Sequence, residues 1–256
     1  MGHIKFEKKD RVAVITMNRP EKRNALNAEV RQELLNILKR FNLDKSIRSV
    51  IITGTGEAFI AGADIQAMKN YTVEDAVESS RQGSQIFSYI EKMRSPVIAA
   101  INGWTLGGGL ELALACDIRI CSETAQFGQP EIKIGILPGY GATIRLPRII
   151  GVAKAKEMIY FGKIITAKEA EKIGLVTQVT APSDLMEKAM GLAQKLVRGP
   201  ASLTLAKQAI NSAFDLNLNE AFKLSSTLYG DAYKTNDARE GIRAYLEKRK
   251  PIFKGN

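Results

Sequence analysis

The 22 residues from Ser95 to Cys116 contain one charged side chain, Glu111. A run of that length and apolarity is long enough to cross a bilayer as a helix. Its interior argues against that reading. Pro96, the pair Asn102-Gly103 and the triplet Gly107-Gly108-Gly109 divide it into a buried strand, a glycine-rich turn and a buried helix. Such a stretch needs a core that covers it on all sides. A chain of 256 residues buries roughly 73% of its unfolded surface, so it can supply that core without disulfides or metal. Glu111 falls in the first turn of the apolar helix, where a carboxylate is costly unless paired or used. The plainer alternative is tight packing at the glycines and an exposed capping acid.

Around this stretch the first half of the chain alternates strands and helices. Ile4–Lys8 and Arg11–Asn18 flank a Lys9-Asp10 turn and read as a hairpin. Asn27 is a helix cap, and Val30, Leu34, Ile37, Leu38 and Phe41 recur at helical spacing behind it. Arg48–Thr53 reads as a strand, 54–62 as a loop, and Thr72 as the cap of a helix to about Met93. Pro96–Ile101 and Asp117–Cys121 are strands on either side of the helix that Gly107-Gly108-Gly109 opens. The span from there to Val152 is rich in glycine and proline and reads as irregular. Helices are expected near 153–161, 167–173, 183–197, 201–213, 218–234 and 237–248, with a short strand at Leu175–Val179. This order predicts an α/β core with a helical C-terminal appendage.

Several chemistries are absent. The two cysteines, Cys116 and Cys121, and the lone histidine, His3, cannot build a zinc cluster or a Ser-His-Asp triad, so no metal site is expected. There is no Gly-x-x-x-x-Gly-Lys-Ser/Thr, no Gly-x-Gly-x-x-Gly and no Gly-x-Ser-x-Gly. No signal peptide precedes the first strand, and a cytoplasmic protein with no membrane segment is expected. The formal charge is +10. Its lysines and arginines are interspersed rather than gathered on one stretch, which suits an anionic small ligand or plain solubility better than nucleic acid.

Three segments could carry chemistry on carboxylates and backbone amides. Ala58–Ile65 enters a helix at Gly62, and the Ala63 amide could face an anion or a carbonyl oxygen; an ordinary helix start with Asp64 in its first turn is the alternative. Ile101–Glu111 repeats the pattern at Gly107-Gly108-Gly109. Gln126–Glu131 places an acid after Pro130, either held toward a pocket or solvated in a loop. Taken together they offer two strand-to-helix amides, the makings of an oxyanion hole, and two glutamates able to position a water and move protons.

In this order, Asn18-Arg19-Pro20-Glu21-Lys22-Arg23-Asn24-Ala25-Leu26-Asn27, Ala61-Gly62-Ala63-Asp64-Ile65, Gly107-Gly108-Gly109-Leu110-Glu111, Ala125–Glu131 and Pro138-Gly139-Tyr140-Gly141 resemble the enoyl-CoA hydratase (crotonase) superfamily over nearly the whole chain. The resemblance is nearest to its short-chain hydratases and 3-hydroxyacyl-CoA dehydratases. It implies a spiral of ββα units over 1–195 and a helical trimerisation region over 196–256, in a homotrimer or a hexamer built as a dimer of trimers. It implies an acyl-CoA substrate and no separate cofactor. The amides of Ala63 and Gly108 would hold the thioester oxygen. Glu111 and Glu131 would hold one water between them, Glu111 deprotonating it for attack at C3 and Glu131 protonating C2. Coenzyme A would lie against Lys22, Ala25, Leu26, Ala61, Asp64 and Ile65, and the basic set Lys248, Arg249, Lys250 and Lys254 is either a further phosphate contact or a solvated tail. The alternatives are an enoyl-CoA isomerase, which keeps a glutamate only near the Glu131 position, and, further off, an RNA-binding branch.

Two departures stand out. Gly141-Ala142-Thr143-Ile144-Arg145-Leu146 replaces the usual Gly-Gly-Thr-Gln-Arg-Leu, and Ala142 is expected to crowd the water side of the pocket. Trp104 stands where Tyr, Phe or His is usual, and reads as a packing change.

Overall fold

A hairpin of β1 (Ile4–Lys9) and β2 (Val12–Met17) opens the chain. After a polar loop, α1 (Ala28–Leu43) begins where the Asn27 side chain accepts the Val30 N–H at 2.8 Å, as a cap of this type should. The computed structural model describes residues 2–256. From α1 onward one unit recurs: a strand in a large sheet, a strand in a small sheet, then a helix. In the first unit β3 (Ser49–Gly54) and β4 (Ala58–Ala61) lead to a short α2 (Ile65–Met68) and to α3 (Val73–Lys92). In the second, β5 (Val97–Ile101) and β6 (Trp104–Leu106) lead to α4 (Gly108–Ala115). In the third, β7 (Ile118–Ser122) and β8 (Gln126–Gly128) lead to a 3-10 turn, Pro130–Ile134, and to α5 (Ala142–Ile150). Then come α6 (Val152–Tyr160), β9 (Ile164–Thr166), α7 (Ala167–Lys172), β10 (Gln178–Thr180) and α8 (Leu185–Val197). Three helices finish the chain: α9 (Ser202–Ser212), α10 (Leu218–Tyr233) and α11 (Asn236–Leu246).

The large sheet has the order β1-β2-β3-β5-β7-β10 and is parallel except at the β1–β2 hairpin; the small one has the order β4-β6-β8-β9, parallel except at β9. Strands such as β3 and β5 are apolar at successive positions because both faces of the large sheet are covered. Val50, Ile52, Val97, Ala99 and Ile101 face the main core with α1 and α3. Val12, Val14, Ile51, Ile98 and Ala100 face Leu185, Ala189 and Ala193 of α8. The α/β class and the helical C-terminal region agree with the sequence reading. Helix α8 ends at Val197, two residues past the expected 195/196 division, and its apolar face belongs to the sheet rather than to the appendage.

Six local expectations need correction. Within the expected loop 54–62 lies β4, and β6 follows the turn at Asn102-Gly103. The expected irregular span contains β8 and all nine residues of α5, with Pro147 inside the helix. The strand expected at Leu175–Val179 is β10, at Gln178–Thr180, and β9 was not foreseen. All five strands are three or four residues long. They exist because a neighbouring strand pairs them, which no local pattern records.

The appendage is tied to the core by a buried ion pair. Lys207 of α9 reaches Asp117 at 2.7 Å and the Ile90 carbonyl at 3.0 Å. Asp237, buried at the start of α11, accepts the amides of Ala201, Lys254 and Gly255, which pins the last residues of the chain.

Candidate active site

Strands β4 and β6 lie side by side, Ala61 next to Leu106, and end together. Each runs through a glycine with positive φ, Gly62 at +104° and Gly107 at +49°, and then into a helix. Such angles are easy only for glycine. Just beyond them are the amides of Ala63 and Gly108, and among the described residues neither has a hydrogen-bond partner. For Ala63 the reason is visible. Leu26 pairs with it as an isolated bridge, taking the Gly62 carbonyl at 2.9 Å and the Asp64 amide at 2.9 Å, and so uses the groups on either side. For Gly108 the reason is its place as the first residue of α4, where helical geometry offers no acceptor. The two free N–H groups and the α4 N-terminus favour a negative oxygen between them. Gly109 makes the approach possible: a Cβ there would stand 2.0 Å from the Ile60 carbonyl oxygen.

Glu111 sits one turn into α4, a helix whose eight residues are all buried, and is itself 1% exposed. Its Oε1 accepts two backbone amides, Tyr140 at 2.7 Å and Ala142 at 2.9 Å. Burial pushes its carboxyl above the usual range, and those amides, with Arg145 beyond them, pull against that shift. Glu131 lies on the 3-10 turn and is partly exposed. Burial, and behind it the charge of Glu111, raises its carboxyl to about 7. Gln129 is fully buried beneath it. With its carboxamide nitrogen turned to Glu131, the orientation its neighbours favour, it donates to both oxygens at 2.9 and 3.0 Å. Gly107 joins the two acids: its carbonyl accepts the Glu111 amide at 2.9 Å, and a Cβ on it would come within 2.7 Å of Glu131 Oε1.

The four residues expected to act on substrate, Ala63, Gly108, Glu111 and Glu131, therefore converge on one place. The residues expected to meet coenzyme A lie on the loop after β2 and where β4 passes into α2, two stretches joined by the Leu26–Ala63 bridge. Lys22 is exposed at the end of a 3-10 turn, Pro20–Lys22. Ala25 offers its carbonyl to Arg19 at 2.8 Å, and Arg19 in turn lies 3.5 Å from the Asp64 carboxylate. The Ala61 amide donates to Arg23 at 3.0 Å, and Ile65 is 55% exposed at the start of α2. Of the C-terminal basic set, Arg249 is engaged by Glu240 and Glu247, whereas Lys248 and Lys250 are exposed.

The side chain of Ala142, expected to crowd the water side of the pocket, is buried in the main core, and its amide is what Glu111 uses. Trp104 pairs as the first residue of β6, a packing role. Sequence reasoning missed Tyr140, Arg145 and Gln129. Arg145 holds the Tyr140 carbonyl at 3.0 Å while paired twice with Glu91 at 2.7 Å. The resemblance marked Pro138-Gly139-Tyr140-Gly141 as a segment, but a backbone donor has no side-chain signature, so it gave the Tyr140 and Ala142 amides no role.

Comparison with known proteins agrees with this geometry. The family pattern described as enoyl-CoA hydratase/isomerase matches residues 7–256. A short-chain-enoyl-CoA hydratase of Clostridium acetobutylicum is 41% identical over 252 residues, 98% of this chain and 97% of that protein. A crotonyl-CoA hydratase of Syntrophomonas wolfei is 41% identical over 253 residues, 98% and 97% of the two. The crystal structure of an enoyl-CoA hydratase from Bacillus anthracis superposes with a TM-score of 0.94 at 39% identity, covering all of both chains. This chain belongs to the enoyl-CoA hydratase/isomerase family.

Proposed function

We propose that the protein is an enoyl-CoA hydratase, a hydro-lyase that adds water reversibly and syn to a trans-2-enoyl-CoA to give the 3-hydroxyacyl-CoA, for example from crotonyl-CoA or acryloyl-CoA. One observation carries the reading: two carboxylates, not one, meet at Gly107 beside two unpartnered amides. The thioester oxygen sits on the Ala63 and Gly108 amides, which stabilise the enolate as charge moves onto it. A water held between the acids gives its proton to Glu111 as its oxygen bonds to C3. Glu131 gives its proton to C2. The pair thus starts and ends with a single proton, moved from one acid to the other, and titrates as a unit. Burial raises both carboxyls, and the two amides on Glu111 Oε1 oppose that shift; in the hydration direction Glu111 takes the proton as the ionised partner and Glu131 gives it as the neutral one. Loss of the shared proton at alkaline pH stops the reaction in both directions.

Coenzyme A enters as part of the substrate, against Lys22, Ala25, Leu26, Ala61, Asp64 and Ile65, and no separate cofactor is needed. The protein works as a homo-oligomer, a trimer or a dimer of trimers. What supports this is the apolar surface on the last helices, where Phe214, Leu218, Phe222, Tyr245 and Leu246 are each more than half exposed. No helix among the described residues is long and apolar enough to cross a membrane, and a cytoplasmic site of action fits. The test follows the ultraviolet absorbance of crotonyl-CoA, which falls as the conjugated double bond is hydrated. Wild-type protein should consume it, and Glu111→Gln and Glu131→Gln should each be slower by about 10²–10⁴. No loss of absorbance with folded, CoA-binding protein would remove the hydratase reading and bring isomerase substrates forward.

A further inference from the structure

Tyr140 occupies a gap that only glycines leave open. A Cβ on Gly83, in the middle of α3, would fall 2.2 Å from its ring carbon Cδ1, and one on Gly108 would fall 3.2 Å from Cδ2. Glycine is a poor helix former, so α3 gives up helix propensity at Gly83 to admit this ring. The ring meets Phe87 edge-on at 5.8 Å between centroids. Its hydroxyl accepts from Arg31 Nη1 at 2.8 Å, and the Arg31 guanidinium carbon lies 5.1 Å from the ring centre.

Arg31 is 3% exposed, and its side-chain partners among the described residues are two hydroxyls, Tyr140 and Ser79. Its Nε has none. A buried guanidinium held by hydroxyls alone is unusual, because buried charges are generally paired. Here the cation is committed to fixing one aromatic ring.

The position of that ring relative to the reaction follows from Glu111, whose Oε1 takes the Tyr140 amide. Given the hydratase reading, on which this step rests, the water held by Glu111 attacks C3. The carbons beyond C3 therefore leave the reacting centre beside the segment that cradles Glu111. The bulky groups against Gly108 there are the Tyr140 ring and the Leu26 side chain. We infer that the Tyr140 ring, anchored by Arg31, is the wall that limits the acyl group, making the enzyme selective for short-chain enoyl thioesters.

The test compares kcat/KM on crotonyl-CoA, trans-2-hexenoyl-CoA and trans-2-decenoyl-CoA for wild type, Tyr140→Phe and Tyr140→Ala. Wild type should favour crotonyl-CoA over decenoyl-CoA by about tenfold or more, the scale on which apolar pockets discriminate. Tyr140→Ala should shrink that ratio by about tenfold, and Tyr140→Phe, which keeps the ring, should leave it nearly unchanged. Because Tyr140→Ala strands the Arg31 charge, the double variant Arg31→Met/Tyr140→Ala is measured beside it. A purely structural role would lower activity on all three substrates alike. Calorimetric binding of butyryl-CoA and decanoyl-CoA adds a readout that needs no turnover. Decanoyl-CoA should bind wild type no more tightly than butyryl-CoA, and bind the double variant more tightly. A chain-length ratio that the alanine variants leave unchanged, or a wild type that prefers the long thioesters, overturns the wall. Absence of crotonyl-CoA hydration by wild type would instead remove the hydratase reading, while the binding ratio still decides the wall.

Discussion

Glu111 and Glu131 meet at Gly107 from segments built in opposite ways. Glu111 stands on α4, where every residue is buried and a glycine touches the neighbouring strand. Glu131 stands on a five-residue 3-10 turn whose neighbours Ile132 and Ile134 are exposed. The first acid takes its donors from Tyr140 and Ala142, far along the chain, and the second from Gln129, two residues away. The difference shows how one site can hold two carboxyls by different means. A fully buried helix delivers one acid to backbone amides far along the chain, and a partly exposed turn holds the other through a side chain two residues away.

The sharpest way to break the contrast is at the glycines. Gly109→Ala would drive a methyl group into the Ile60 carbonyl at 2.0 Å. It should cost about 3 kcal/mol or more of stability, read by denaturant unfolding, and should abolish activity by moving α4. A Glu111→Ala variant should cost about 2 kcal/mol, because it strands two buried amides, whereas Glu111→Gln, which can still accept them, should cost about 1 kcal/mol or less.

The Glu131 side of the contrast should appear as pH-dependent stability. Its carboxyl rises from 4.5 to about 7 on folding. Below pH 4.5 both folded and unfolded chains hold the proton and the group contributes no difference. As pH rises toward 7 the unfolded chain loses the proton first, so wild-type stability falls and then levels off. Glu131→Gln should therefore match wild type near pH 4 and exceed it by about 2 kcal/mol at pH 8, a value below the full shift because Glu131 is partly exposed. The smallest effect belongs to Gly135, just after the same turn. A Cβ there meets nothing within 4 Å, and only its φ of +79° opposes a side chain. Gly135→Ala should cost about 1 kcal/mol and leave the fold intact. Equal costs at Gly109 and Gly135 would dissolve the contrast between the segments.

The same contrast explains what the sequence disclosed. Asn27 and Thr72 were legible as caps because their partners lie three residues on: Val30, and the Asp75 amide that Thr72 Oγ1 accepts at 3.1 Å. Helix α4 was legible from its glycines, and Glu111 from the cost of an acid on an apolar helix. The strand β4 was not, since both faces of its four residues are covered and no alternation survives. Helix α5 was hidden by Pro147 and by the glycines before it. In the candidate site, the four expected positions were readable through resemblance, but the amides of Tyr140 and Ala142 were not, because every residue but proline carries the same donor. Nothing in the sequence of α1 marks Arg31, and only packing shows that it faces inward to Tyr140.

The central claim is that the two acids act as one proton-sharing unit, and a double-mutant cycle on crotonyl-CoA hydration tests it most directly. The rates of wild type, Glu111→Gln, Glu131→Gln and the double variant are measured under one set of conditions. If the pair is a unit, the double variant is no slower than the slower single variant, because one loss already disables the transfer. Losses that multiply would show two acids working independently and would contradict the account.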